Sequence, residues 1–298
     1  MKRFLPILVL VCSAGSYAAE LPQKARTQAS AQASSGQSTA APANPAPAEK
    51  TSVDKAALDN AHKAKAVIEQ GIQALGGQAY LAIRDRELQG RGYSFHHGRP
   101  GGGDLFWSFY EFPDKERVEY TKERDVARVF VGDKGYEITY KGAHPVEAKD
   151  LVDYLRQRRY SLDTVLRTWV NDPTVVLLYE GSAIAAQHSA EQVTLINSKD
   201  ESVTLDFDID SHLPIRKAFE WRDPVDKQKN LEEEIYDNYR LVSGVMVPYN
   251  VTRNFNGDMS RQRFLFSATI NQGLDQAMFD PNSGYNPNKP AGKQSSKR

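Results

Sequence analysis

Cysteine is nearly missing from this chain: Cys12 stands alone. If the chain is cut after Ala18, no cysteine remains. That excludes disulfides, thiol catalysis and zinc-thiolate sites in the mature product. Long apolar runs are missing too. The longest, Phe4 to Val11, is too short to span a bilayer. Charge of one sign is missing as well, since 38 basic residues face 38 acidic ones. No strong field therefore points to nucleic acid. Familiar enzyme signatures are also absent. The chain holds no Gly-x-Ser-x-Gly elbow, no His-Glu-x-x-His and no phosphate loop ending in Gly-Lys-Ser/Thr.

What is present begins with an export signal over residues 1–18. Lys2 and Arg3 give a positive start, and the apolar run follows. Ser16-Tyr17-Ala18 then offers small residues before a cut between Ala18 and Ala19. This predicts a periplasmic product. The alternative is a lipid anchor on Cys12, against which Val11 speaks, because lipoprotein processing wants a small residue there. Residues 19–51 are rich in Ala, Gln, Ser and Pro and read as a disordered tether. Residues 285–298 carry Lys289, Lys293, Lys297 and Arg298 and read as a disordered basic tail. Between them, residues 52–284 read as one globular domain.

The domain opens with a helix. Leu58, Ala61, Ala64, Ile68, Ile72 and Leu75 share one face, and Gly76-Gly77 stop it. A short helical turn through Tyr80 to Ile83 follows. Leu105 to Phe112 then reads as a strand, and Gly132 to Gly135 as a hairpin turn. A helical stretch over 147–171 interrupts, with Ser161 as a cap for its second half. Strands are predicted at 174–184, 190–197, 202–209, 214–222, 231–242, 245–255 and 259–271. Asn256-Gly257 joins the last long pair. Strands in sequence order with short turns make antiparallel meanders. The reading is α+β: a large antiparallel sheet with a few helices.

Polar candidates for chemistry are weak. Asp206, Asp208 and Asp210 start as a calcium loop would, but Ser211 and Lys217 stand where Gly and Glu are needed. Alternation puts these carboxylates on the wet face of a strand. His96 and His97 point to opposite faces if they lie in a strand. Glu232 to Glu234 read as a solvated strand start. No catalytic residue and no metal ligand is assigned.

Apolar strand faces are the stronger signal. Trp107 and Phe109 share one face of their strand; Phe106, Tyr110 and Phe112 share the other. Phe219 pairs with Trp221, and Phe264 and Phe266 fall with Ala268 and Ile270. Ordinary core explains such faces, and so does a concave wall for a hydrophobic ligand. The candidate wall is Trp107, Phe109, Phe207, Phe219, Trp221, Phe264 and Phe266. A register slip of one residue would turn each set outward.

Ala74-Leu75-Gly76-Gly77, Leu213-Pro214-Ile215-Arg216, the stretch Tyr239 to Pro248, and Ile270 to Leu274 with Phe279 and Pro281 carry a resemblance. Over about residues 60 to 283 the chain resembles the periplasmic lipoprotein-carrier (LolA/LolB-like) superfamily and its outer-membrane lipoprotein-sorting relatives. The resemblance implies an open, half-closed β-barrel with helices across its concave face. It also implies acyl-chain binding without catalysis and without a cofactor. The expected function is thus a non-enzymatic periplasmic carrier or binding protein for a lipid or lipidated protein. A module of the same fold that binds an envelope protein and no lipid is the alternative. An exported hydrolase is the third reading. The expected partners are a hydrophobic ligand or lipoprotein, with no nucleic acid and no transmembrane segment in the mature chain.

Overall fold

A computed structural model of the chain describes residues 47–288, and side chains from residue 55 onward. The expected signal, Cys12, most of the expected tether and the end of the basic tail lie outside these residues. Helix α1 (Pro47–Leu75) begins inside the stretch expected as tether. Ala64, Val67, Ile68, Ile72 and Leu75 form its buried stripe at helical spacing. Gly76 and Gly77 end it at φ of 125° and 56°. A side chain on Gly76 would place its Cβ 2.4 Å from the Gly244 carbonyl oxygen, so that close approach also demands glycine. A single turn, α2 (Gln78–Leu81), follows.

Thirteen strands form one antiparallel sheet. The first half holds β1 (Asp85–His96), β2 (Arg99–Glu111), β3 (Lys115–Tyr120), β4 (Val126–Val131), β5 (Lys134–Thr139) and β6 (Gly142–Pro145). The second holds β7 (Val176–Ala185), β8 (His188–Ile196), β9 (Ser202–Asp208), β10 (Pro214–Arg222), β11 (Lys229–Val242), β12 (Val245–Phe255) and β13 (Asp258–Ile270). Their order is β6-β5-β4-β3-β2-β1-β13-β12-β11-β10-β9-β8-β7. Each half is a meander of hairpins, as short turns dictate. The halves join where β1 pairs with β13, so the first and last strands lie side by side in the sheet's interior.

β6 and β7 are the two open edges, yet they are consecutive in the chain. Their connection must therefore cross from one edge of the curved sheet to the other. It does so as α3 (Ala148–Arg159) and α4 (Leu162–Arg167), followed by a 3-10 turn at Trp169–Asn171. Tyr160 and Ser161 break the single expected helical stretch. Ser161 accepts from the Thr164 amide at 3.2 Å, as an N-cap should. The result is an open half-barrel with helices on its concave face.

The main core lies between α1, α4 and strands β7 to β10. Val193, Leu195, Val203, Leu205 and Phe207 from the sheet meet Ile68, Ile72, Val165 and Leu166 from the helices. Each such side chain contributes roughly 1.5–3 kcal/mol by leaving water. On the opposite, outer face, a turn at Gln276–Phe279 covers β2 and β3. There Arg117 donates to the Met278 carbonyl at 3.0 Å and pairs with the fully buried Glu119 at 2.6 Å.

Several polar residues lie where alternation did not place them. Asp206 is fully buried, paired with Arg216 at 2.7 Å and with Gln192 at 2.8 Å, rather than wet. Glu232 is buried, and Glu234 is half-buried in an ion-pair network, rather than at a solvated strand start. His96 and His97 sit at a turn, where a positive φ at His97 brings the rings to 4.3 Å instead of opposing them.

Candidate ligand-binding site

The site is the concave side of the half-barrel beneath α3. Helix α3 has no buried residue, unusual for a helix in a packed domain. Its anchors lie at both ends of the span. On one side Tyr154 stacks on Phe130 at 3.5 Å, and Asp150 pairs with Arg128 at 3.1 Å, both on β4. On the other side Arg156 pairs with Glu232 at 3.2 Å and lies 3.6 Å over the Trp221 ring. Gln157 also donates to Glu232. The helix is thus a strap over the mouth.

Below it, the concave face carries two kinds of surface. Leu88, Phe106, Tyr249 and Leu265 form an apolar cluster, flanked by Val118, Tyr120, Val247 and Ala268. Beside it lies a charged network. Glu234 pairs with Lys217 at 2.8 Å and with Arg253 at 2.6 Å. Desolvation alone would raise the Glu234 pKa, but Lys217 and Arg253 hold it well below the ordinary carboxylate value. Desolvation lowers the Lys217 pKa, and Glu234 opposes that shift only in part. Nearer α4, Arg86 meets Asp163 at 2.8 Å.

The aromatic wall candidates do not form one wall. Phe207 and Phe219 lie on the concave side, but in the filled core. The Phe207 ring presses on α1 so closely that a Cβ at Gly71 would fall 2.2 Å from it. Phe219 stacks on Tyr160 at 4.2 Å. Trp221 is half-buried under α3, and its indole N–H is buried without an acceptor among the described residues. Trp107 and Phe109 face outward, packed with Met278 and Phe279. Phe264 also faces outward, edge-on to Tyr93 at 6.0 Å. Phe266 is 55% exposed.

The cause of that last placement is a bulge. Gln89 pairs with Ser267, but the next residue, Gly90, pairs with Leu265. Phe266 is the extra residue, so alternation restarts there. Ala268 and Leu265, not Ala268 and Phe266, share the concave face. Sequence reading missed Leu265, Leu88, Tyr249 and all the concave arginines. The available signal was the period-two run Arg261-x-Arg263-x-Leu265, masked because charged strand positions read as wet.

A separate cleft of about 380 Å³ opens between α1 and strands β7 to β9, lined by residues including Lys63, Gln70, Glu191 and His212. Its apolar lining is limited to Ala66, Val67 and Ile209, too little for an acyl chain. The concave face under α3 is the better candidate because it joins a larger apolar cluster, buried in this structure, to a cover with no buried residue. Among the described residues, no three His, Cys, Asp or Glu side chains converge as a metal site requires. No described helix is long and apolar enough to cross a membrane.

As a sequence the chain matches no known protein family and no curated protein at a significant level. Solved structures do match. A DUF1329 family protein from Desulfovibrio piger aligns with a TM-score of 0.53 at 10% identity, covering 72% of this chain and 96% of that one. A domain assigned to outer membrane lipoprotein sorting from Vibrio parahaemolyticus aligns with a TM-score of 0.50 at 11% identity, covering 75% and 98%. A LolA superfamily protein from Nitrosomonas europaea aligns at 0.47 and 10% identity, covering 70% and 97%. The chain shares the fold of the first two of these structures.

Proposed function

We propose that this protein is a non-enzymatic carrier or binding protein of the periplasm, holding a lipid or the acyl chains of a lipidated protein beneath α3. One observation carries the reading. A helix with no buried residue straps an open half-barrel whose floor holds the Leu88, Phe106, Tyr249 and Leu265 cluster. A cover held by ion pairs and stacking can lift without breaking a core. Acyl methylenes laid on the apolar floor would each contribute about 0.8 kcal/mol. The fold shared with a lipoprotein-sorting domain supports this reading. On this reading Trp221 and Phe106 are the aromatic side chains that meet the ligand.

The histidines speak for a carrier over a hydrolase. His62, His96, His97, His144 and His188 are exposed. The half-buried His212 lies at the cleft beside α1, away from the concave carboxylates. No histidine therefore faces the floor beside a carboxylate among the described residues. Mass spectrometry of organic extracts from the purified full chain tests the proposal. A co-purifying acyl lipid is the expected result. Clean extracts together with no uptake of added lipid would leave the partner-binding module of the same fold as the better account.

A further inference from the structure

The concave floor has a cationic end. Its residues on β13 run Leu265, Arg263, Arg261 toward the β12–β13 hairpin, and those on β12 run Tyr249, Val251, Arg253 in the same direction. Arg253 and Arg261 are direct cross-strand partners, an arrangement of like charges that costs stability. Arg253 is compensated by Glu234. Arg261 and Arg263 are not. Among the described residues neither makes an ion pair or donates a side-chain hydrogen bond.

Two of the acids nearby are committed to other cations, and the third meets only a hydroxyl. Glu234 serves Lys217 and Arg253, Asp150 serves Arg128, and Glu116 accepts from Ser108 at 3.1 Å. Both arginines remain accessible to solvent, yet both have a lowered pKa. For Arg261 the causes are desolvation and then Arg253 and Arg128, with Tyr120 and Asp150 opposing. For Arg263 they are desolvation, then Arg86 and Arg253, opposed first by Glu234 and also by Glu116. These are solvent-accessible cations on the concave face, without an ion-pair partner among the described residues. The Arg263 guanidinium lies 5.9 Å from the centre of the Phe106 ring, which belongs to the apolar cluster. Charge and apolar wall are therefore adjacent on the scale of one lipid head and the first carbons of its tail.

We infer that the ligand is an anionic amphiphile, its carboxylate or phosphate head held by Arg261 and Arg263 and its acyl chain laid on Leu88, Phe106, Tyr249 and Leu265. The inference rests on the carrier reading and adds the chemistry of the head. Guanidinium suits it because its fork matches either anion with two charge-assisted hydrogen bonds.

The test uses the full chain stripped of lipid, titrated by calorimetry at low salt. The ligands are palmitate, palmitoyl lysophosphatidic acid, the uncharged monopalmitoyl glycerol, and inorganic phosphate. Wild type is compared with an Arg261→Gln/Arg263→Gln double variant, with melting followed in parallel. The expected result is about tenfold or greater preference for an anionic over the uncharged ligand, lost in the double variant while glycerol-ester binding persists. If the double variant fails to fold, Arg261→Lys/Arg263→Lys takes its place and should keep the preference with raised salt sensitivity. Equal binding of charged and uncharged ligands by wild type would overturn the head-group inference and leave the carrier reading intact. Binding of inorganic phosphate alone, or of nothing, would overturn both.

Discussion

Glu234 is the residue on which the concave charge network turns. It is the shared counter-ion of Lys217, which is almost wholly buried, and of Arg253. Replacing it by Gln leaves a buried ammonium without its anion. Breaking one side of such a pair costs about 3–5 kcal/mol. The pH dependence follows from the depressed Glu234 pKa. A carboxylate whose folded pKa lies below its unfolded value contributes stability that is full above the unfolded value of 4.5 and is lost as pH falls through the folded one. Urea denaturation of wild type and Glu234→Gln should show a constant gap near neutral pH that narrows below pH 4.5. A gap unchanged down to acid collapse would mean that the charge of Glu234 does not stabilise the fold. None of this was legible in Glu232-Glu233-Glu234, since a run of like charges ordinarily marks a solvated face. Here Lys217 stands opposite Glu234 across β10 and β11, and only that long-range register reveals the pairing.

Among the elements, α3 and β13 decide what the site can do. Helix α3 is fastened by its Arg156, Gln157, Asp150 and Tyr154 contacts and buries no side chain. The Asp150–Arg128 pair is partly exposed and contributes little, and no residue of α3 is buried, so the strap should open more readily than the domain unfolds. Amide hydrogen exchange should find α3 exchanging faster than the Ala64–Leu75 part of α1. Asp150→Ala, which removes only the partly exposed pair to Arg128, should speed α3 further while changing the melting temperature little. Equal protection of the two helices would contradict a movable strap. The helix itself was legible from its apolar positions. Its role was not, because it follows from β6 and β7 being opposite edges, a fact of topology. The bulge in β13 has a test of its own. Leu265→Glu puts a charge on the concave floor and should cost several kcal/mol or abolish folding. Phe266→Glu, one residue on, faces outward and should stay within about 0.5 kcal/mol of wild type by thermal or urea melting. Reversed sensitivities would mean that the strand keeps simple alternation.

For the whole molecule, the sequence of hairpins was readable from glycine turns and period-two runs, and so was the antiparallel class. The pairing of β1 with β13 was not, because no local pattern marks which distant strands meet. That pairing brings Gly92 opposite Arg263 on the floor of the half-barrel. A Cβ built on Gly92 meets only Phe106, at 3.9 Å. A larger side chain there starts without a clash and extends over the concave face where a ligand would lie. Saturable binding of a fluorescent fatty-acyl probe by the lipid-stripped full chain, wild type beside Gly92→Phe, therefore tests the carrier account most directly. The account expects wild type to saturate and Gly92→Phe to lose at least about tenfold in affinity at unchanged melting temperature, since even a few displaced methylenes amount to more than 1.4 kcal/mol. Unchanged binding in a folded Gly92→Phe variant, or no saturable binding by wild type, would contradict it.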